Sequence, residues 1–202
     1  FPIVSWAPRV TRSMRYQGVR APPLWEFETG AEVSSSPALA DLDGDGIPDC
    51  VVGSNDKSVY ALSGRTGARL WEFETGAAVS SSPALADLDG DGVPDCFVGS
   101  QDESVYALSG CMGARLWKFE TGGPVCSSPG LADLDGDDVL DCVVGSFDRK
   151  VYALSGRTGA RLWEFETGAE VSSSPALADL DGDGVADCGG GSDDRRVYAL
   201  SG

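Results

Sequence analysis

Val59-Tyr60-Ala61-Leu62-Ser63-Gly64-Arg65-Thr66-Gly67-Ala68-Arg69-Leu70-Trp71-Glu72-Phe73-Glu74-Thr75 is the stretch that decides the fold. Val59 to Gly64 is a short, mainly apolar run, and Arg65-Thr66-Gly67 carries turn chemistry. Trp71, Phe73 and Thr75 then alternate with Glu72 and Glu74, which puts one face against a core and the other in water. The stretch therefore reads strand, turn, strand. It returns 46 residues later from Val105 and again from Val151, while its second half alone opens at Leu24 and its first half alone runs to Gly202.

Working outward, Cys50 to Ser54 is another apolar strand, and Asn55-Asp56-Lys57 turns it into Val59. Upstream, Val33 to Ala40 is a run of small residues that suits a strand crowded near an axis. The unit is thus four short strands in 46 residues. Such a period also suits paired helices. No segment, however, keeps apolar residues at i, i+3, i+4 over ten positions, and Gly or Pro interrupts every candidate. Four-stranded units repeated radially make a β-propeller. The expected fold is all-β, with antiparallel blades from repeats at about 33–76, 79–122, 125–168 and 171–202. Residues 24–30 match the outer strand that the last repeat lacks, so they are expected to complete that blade and close a four-bladed ring. The competing expectation is four blades of a larger ring. Residues 1–23, with four prolines and four arginines, match the repeat poorly and read as irregular.

Between the small-residue strand and the next one lies Asp41-Leu42-Asp43-Gly44-Asp45-Gly46-Ile47-Pro48-Asp49. Its copies run from Asp87 to Asp95, Asp133 to Asp141 and Asp179 to Asp187. Carboxylates at loop positions 1, 3, 5 and 9 aim at one centre, and Gly at position 6 takes a sharp turn, which is what a hard cation needs. The candidate ligands are Asp41, Asp43, Asp45 and Asp49; Asp87, Asp89, Asp91 and Asp95; Asp133, Asp135, Asp137 and Asp141; and Asp179, Asp181, Asp183 and Asp187. Up to four Ca2+ ions are expected. The third site should be the weakest, because Asp138 stands where Gly46, Gly92 and Gly184 do. Repeat four carries Gly189-Gly190-Gly191 against Val51-Val52-Gly53, so blade four should be the loosest.

The 202 residues suffice for one domain with a real core. The formal charge is −17, and since four arginines and no acid precede Leu24, the remainder carries −21. That sign argues against nucleic acid as a partner. No apolar run is long enough to span a bilayer, and Phe1-Pro-Ile-Val-Ser-Trp6 is too short for a secretory signal, so the sequence reads as a fragment or processed chain. There is no His, which removes the commonest general base. Cys50, Cys96, Cys142 and Cys188 share one repeat position and read as buried, unbridged thiols. Cys111 and Cys126 depart from the repeat, and a bridge between them is left open.

Two resemblances meet in this unit. The Asp-x-Asp-x-Asp-Gly-x-x-Asp loop resembles the calcium-binding FG-GAP repeat of integrin α-subunit propellers, which implies further ligation by the backbone carbonyls of Ile47, Val93, Val139 and Val185. An EF-hand would need Glu at position 12, where Val52 stands. Ala61-Leu62-Ser63-Gly64-Arg65-Thr66-Gly67-Ala68-Arg69-Leu70-Trp71 resembles the quinoprotein propeller repeat, with Ser63 in place of its Asp. In that family the Trp docks between neighbouring blades, so the motif implies a fold and no cofactor.

The functional expectation is a non-catalytic protein-interaction or adhesion module with structural calcium, extracellular or at the cell surface. Its partner would be a protein or a glycan. One alternative is a sugar-binding propeller, suggested by the recurring Trp and Tyr. Another is a fragment of a quinone-dependent dehydrogenase, which this chain poorly equips: it has no adjacent Cys pair and no single catalytic residue set apart from the repeat.

Overall fold

A computed structural model describes residues 22–202; apart from Pro22 and Pro23, the irregular segment expected over 1–23 lies outside the described residues. The chain forms fifteen strands in four sheets and no helix among those residues. Blade one contains β1 (Ala38–Ala40), β2 (Asp49–Gly53), β3 (Ser58–Leu62) and β4 (Arg69–Glu74), antiparallel and in sequence order. Blade two repeats this with β5 (Ala84–Ala86), β6 (Asp95–Ser100), β7 (Ser104–Leu108) and β8 (Arg115–Glu120). Blade three has β9 (Gly130–Ala132), β10 (Asp141–Gly145), β11 (Lys150–Leu154) and β12 (Arg161–Glu166). The fourth sheet holds only β13 (Ala176–Ala178), β14 (Asp187–Ser192) and β15 (Arg196–Leu200).

The innermost strands are shorter than the run of small residues suggested. Pro37 cannot donate to a ladder, and serine side chains replace the missing backbone bonds. Ser35 Oγ donates to Gly53 O at 2.8 Å and accepts from Gly53 N at 3.0 Å. Around the axis Ser36 N–H donates to Ser82 Oγ at 2.8 Å, Ser82 N–H to Ser128 Oγ at 3.1 Å, and Ser128 N–H to Ser174 Oγ at 3.0 Å.

The core lies between blades. Leu42, Val51, Val59 and Ala61 of blade one pack on Cys96, Val98, Tyr106 and Leu108 of blade two. Blade two meets blade three through Leu88, Phe97, Val105 and Ala107 against Cys142, Val144, Tyr152 and Leu154. The middle strands β2, β6 and β10 are buried along their whole length. The outer strands alternate as their sequence requires, with Glu72 and Glu74 facing water.

Residues 24–30 differ from the expectation. They form no strand and make no ladder with β15 among the described residues. Trp25 and Phe27 instead pack on Cys50, Val52, Tyr60 and Leu62 of blade one, while β15 keeps an open outer edge with Val197 86% exposed. The segment thus takes an outer strand's place beside blade one but lacks that strand's pairing, because its apolar side chains and Gly30 are held by blade one alone.

Candidate metal centres in the loops between inner strands

Each acidic loop leaves an inner strand and ends at the first residue of the next strand. Asp41 accepts from Gly44 N at 2.8 Å and from Gly46 N at 2.9 Å, one bond to each oxygen. Asp43 accepts from Asp45 N at 3.0 Å and Asp45 from Ile47 N at 2.8 Å. Such side-chain bonds to amides a few residues on curl the chain around its own carboxylates. The amides of Val93, Val139 and Val185 donate in the same way to Asp91, Asp137 and Asp183. Gly46 sits at φ +81°, and Asp138 holds the corresponding left-handed backbone at +64°. Nothing lies within 4 Å of a Cβ built on Gly46, so the third loop has room for the side chain and carries only backbone strain.

The last aspartate of each loop is also tied into the fold behind it. Asp49 is buried and accepts from Leu42 N at 2.8 Å and Gly64 N at 2.9 Å. Asp95, Asp141 and Asp187 make the same pair of bonds to the repeat-equivalent amides. Burial pushes the carboxyls of Asp95 and Asp141 up, although two backbone N–H donors to each pull the other way.

Carboxylate oxygens of Asp41, Asp43 and Asp45 lie within 4.8 Å of one another. In the other loops the converging sets are Asp87, Asp89 and Asp95; Asp133, Asp135 and Asp141; and Asp179, Asp181 and Asp187. The donors are all oxygen, the chemistry a hard cation prefers. Position 5 has a competitor. Arg65 donates to Asp45 at 2.8 Å and Arg157 to Asp137 at 2.9 Å. Those arginines hold both carboxyls below their usual range. In repeat two the neutral Cys111 thiol stands there instead, 3.1 Å from Asp91.

Asp56, in the turn Asn55-Asp56-Lys57, and its repeat equivalents do more than turn the chain. Asp56 accepts from Tyr60 Oη at 2.9 Å and from Gly30 N at 2.6 Å, 26 residues upstream. Asp102, Asp148 and Asp194 repeat this latch with Tyr106 and Gly76, Tyr152 and Gly122, and Tyr198 and Gly168. Their recurrence at one offset, between neighbours that vary, was the available signal.

The described tryptophans are spent on packing. Trp25 Nε1 donates to Gly64 O at 2.9 Å, Trp71 to Gly110 O at 2.6 Å and Trp117 to Gly156 O at 2.7 Å. Trp163 Nε1 is buried without an acceptor. Gly67, at φ +73°, lies so close to the Trp25 ring that a Cβ would meet it at 2.7 Å. The described Trp and Tyr, which suggested sugar binding, are all buried or half-buried. All six cysteines are free, Cys111 exposed and Cys126 half-buried, so the bridge left open between them is not formed. Burial pushes the thiols of Cys50, Cys96 and Cys142 up, and that of Cys188 up to about 11.

A family model described as outer membrane protein assembly factor BamB, of the PQQ-like propeller type, matches residues 55–202. The chain belongs to that family. BamB from Moraxella catarrhalis superposes with a TM-score of 0.67 at 18% identity, over 88% of this chain and 49% of that one. The computationally designed Ika4 protein superposes with a TM-score of 0.69 at 16% identity, over 90% of this chain and 99% of its own. The designed Ika8 protein gives 0.64 at 18% identity, over 88% of this chain and 48% of that one. The chain thus spans about half the length of the Moraxella BamB chain. No curated protein is significantly similar to it in sequence. The PQQ-like half of the sequence resemblance therefore stands, with its docked tryptophans, on a BamB-family propeller.

Proposed function

We propose that this BamB-family propeller is a calcium-stabilised, non-catalytic protein-interaction module. The observation that carries the reading is the convergence, four times over, of three aspartate oxygen atoms to within 4.8 Å. Like charges at that separation repel unless a cation lies among them. The loops resemble FG-GAP calcium loops, and this half of the resemblance rests on the loops alone. The converging sets, Asp41, Asp43 and Asp45 in the first loop and the aspartates at positions 1, 3 and 9 in the other three, would hold the ion, and Asp49, Asp95, Asp141 and Asp187 also fix each loop to the strand behind it. The Cys111 thiol in place of an arginine leaves position 5 of repeat two less contested than those of repeats one and three, while Arg157 and Asp138 together make repeat three the weakest.

Calcium sites of extracellular modules bind at about 10⁻⁴–10⁻³ M. At millimolar calcium each such site stabilises the fold by about 1 kcal/mol. That concentration dependence favours a location outside the cell or at its surface. Near-identical repeats offer no single asymmetric pocket of the kind catalysis needs, whereas a propeller presents broad faces to a partner. The family's description as an outer membrane protein assembly factor agrees with a protein partner. No described helix is long and apolar enough to cross a membrane.

Native mass spectrometry with calcium, then with EDTA, tests the reading. Adducts of up to four calcium ions per chain are expected, lost on chelation. A spectrum free of calcium adducts at millimolar calcium would sink it.

A further inference from the structure

The turn between β2 and β3 and its three copies lie at the strand ends away from the acidic loops, since Asp49 and Gly53 are opposite ends of β2. Each turn bonds to the segment that leads into its own blade. Asn55 N–H donates to Glu32 O, Gln101 N–H to Ala78 O, Phe147 N–H to Pro124 O and Asp193 N–H to Glu170 O, all at 3.0 Å. Here the repeats stop being alike. Asn55, Gln101, Phe147 and Asp193 occupy the one position of the 46-residue unit at which all four copies differ, while the Ser before and the Asp after it recur every time.

In three blades the varied residue is tied to a neighbouring serine. Asn55 Nδ2 donates to Ser34 Oγ at 3.2 Å, Gln101 Nε2 to Ser80 Oγ at 3.4 Å, and Ser172 Oγ to Asp193 Oδ1 at 3.4 Å. Blade three changes both partners at once, with Cys126 and Phe147 at those two positions. Gly123-Pro124 also replaces Ala77-Ala78 beside them, and a Cβ on Gly123 would meet Asp148 N at 2.7 Å. The other described phenylalanines, Phe27, Phe73, Phe97, Phe119 and Phe165, each pair with a Tyr or Trp ring at 5.1–5.7 Å. Phe147 is half-buried, has no aromatic partner among the described residues and packs in none of the interior clusters.

Two residues further on, the same turns carry charge. Lys57, Glu103, Arg149 and Arg195 hold a left-handed backbone, at φ +80°, +66°, +73° and +72°. That backbone costs a residue with a Cβ what it does not cost glycine. The acidic loops fill their left-handed positions with glycine, Asp138 apart, so the long charged side chains of these turns come at a cost that the chain avoids elsewhere. Arg149 and Arg195 are exposed, and among the described residues neither has an acid in ion-pair range, whereas Arg65, Arg69, Arg157 and Arg161 do.

We propose that this face binds a linear segment of a partner protein, seating one apolar side chain on Phe147 and Cys126 and a carboxylate on Arg149 and Arg195. This rests on the interaction-module reading and names the surface and the partner chemistry for it. Val125 N–H donates to Ser100 O at 3.0 Å and Val171 N–H to Ser146 O at 3.1 Å. Those bonds join the turns of blades two, three and four into one continuous path, with the polar pairs Ser80–Gln101 and Ser172–Asp193 on either side of the apolar spot. A broad interface with a folded partner needs a wider apolar centre. A single apolar seat among polar groups suits an extended segment read one side chain at a time. On a chain of formal charge −17, arginines without an acid are where a partner's carboxylate is received.

The test is selection from a phage library of random linear peptides on the full chain, followed by titration of the selected peptides, made synthetically, onto variants. Enriched sequences should share an apolar residue with Asp or Glu at a fixed spacing. Phe147→Asn with Cys126→Ser gives blade three the pair that blade one carries, so the fold should stand, and peptide binding should weaken about 10- to 100-fold. Arg149→Glu and Arg195→Glu, at exposed positions, should each weaken it about 3- to 10-fold. Met112→Thr, at the opposite strand ends, should leave it unchanged. Enriched peptides that lack an acid, or that bind these turn variants as tightly as the wild type, would overturn this surface and leave the interaction-module reading standing. A library that yields no enriched sequence would overturn the surface and count against that reading too.

Discussion

Blades two and four follow nearly the same 46-residue template, yet they are packed very differently. All six residues of β6 are buried, with Phe97 at 0% exposure. In β14 only Asp187 and Cys188 are buried, and the next four residues are half-buried. Two causes add. Gly189-Gly190-Gly191 replaces Phe97-Val98-Gly99, and among the described residues blade two has a neighbour on each face where blade four has one. A repeat in such an array owns little stability of its own; most of it lies in the contacts with adjacent repeats.

The largest test of that contrast is Phe97→Ala, which should lower unfolding free energy by about 3–5 kcal/mol in a urea melt. A loss below 1 kcal/mol would mean that the joint between blades two and three is not where the stability lies.

Removing calcium should act on both blades. We expect chelation to lower the melting temperature by about 2–4 °C per occupied site, with recovery on adding calcium back. An unchanged melt would leave the carboxylate clusters without a structural role for metal.

Smaller again is the difference between loops one and three. Asp43→Ala should remove the calcium-dependent stability of its site, about 1 kcal/mol. Asp135→Ala should cost less, because that loop already carries Asp138 at φ +64° and the Arg157 pair. Equal losses in calorimetry would remove the ranking. The smallest expected effect is a gain. Gly190→Ala adds a Cβ that meets nothing within 4 Å and should stabilise blade four by about 0.5–1 kcal/mol. A loss in the same urea melt would mean that this strand depends on glycine in a way the contacts do not reveal.

Much of this was legible in the sequence because the repeat exposes its own logic. The alternation of Trp71, Phe73 and Thr75 with glutamates gave the outer strand, and the spacing of Asp41, Asp43 and Asp45 gave the cluster. Local pattern could not show where a turn residue finds a partner. Asp56 in Asn55-Asp56-Lys57 looks like any turn aspartate, and its bond to Gly30 crosses between structural units. By spacing alone Asp49 looks like the other loop carboxylates. Only burial, and the amides of Leu42 and Gly64 on its two oxygens, sets it apart. Residues 24–30 match an outer strand's sequence, but the match does not show which blade holds them: Trp25 and Phe27 pack on blade one and make no ladder with β15.

Gly64 stands at a junction whose two sides answer to different parts of the chain. Its amide is held by the carboxylate that ends the acidic loop, and its carbonyl receives the indole of Trp25. Gly110 links Asp95 to Trp71 in the same way, and Gly156 links Asp141 to Trp117. An ion seated in such a loop would stiffen, through one glycine, the hinge with the unit before it. Filling of the loops should then be concerted, with a titration steeper than that of four strangers, and a curve of independent sites would show that the glycine transmits nothing.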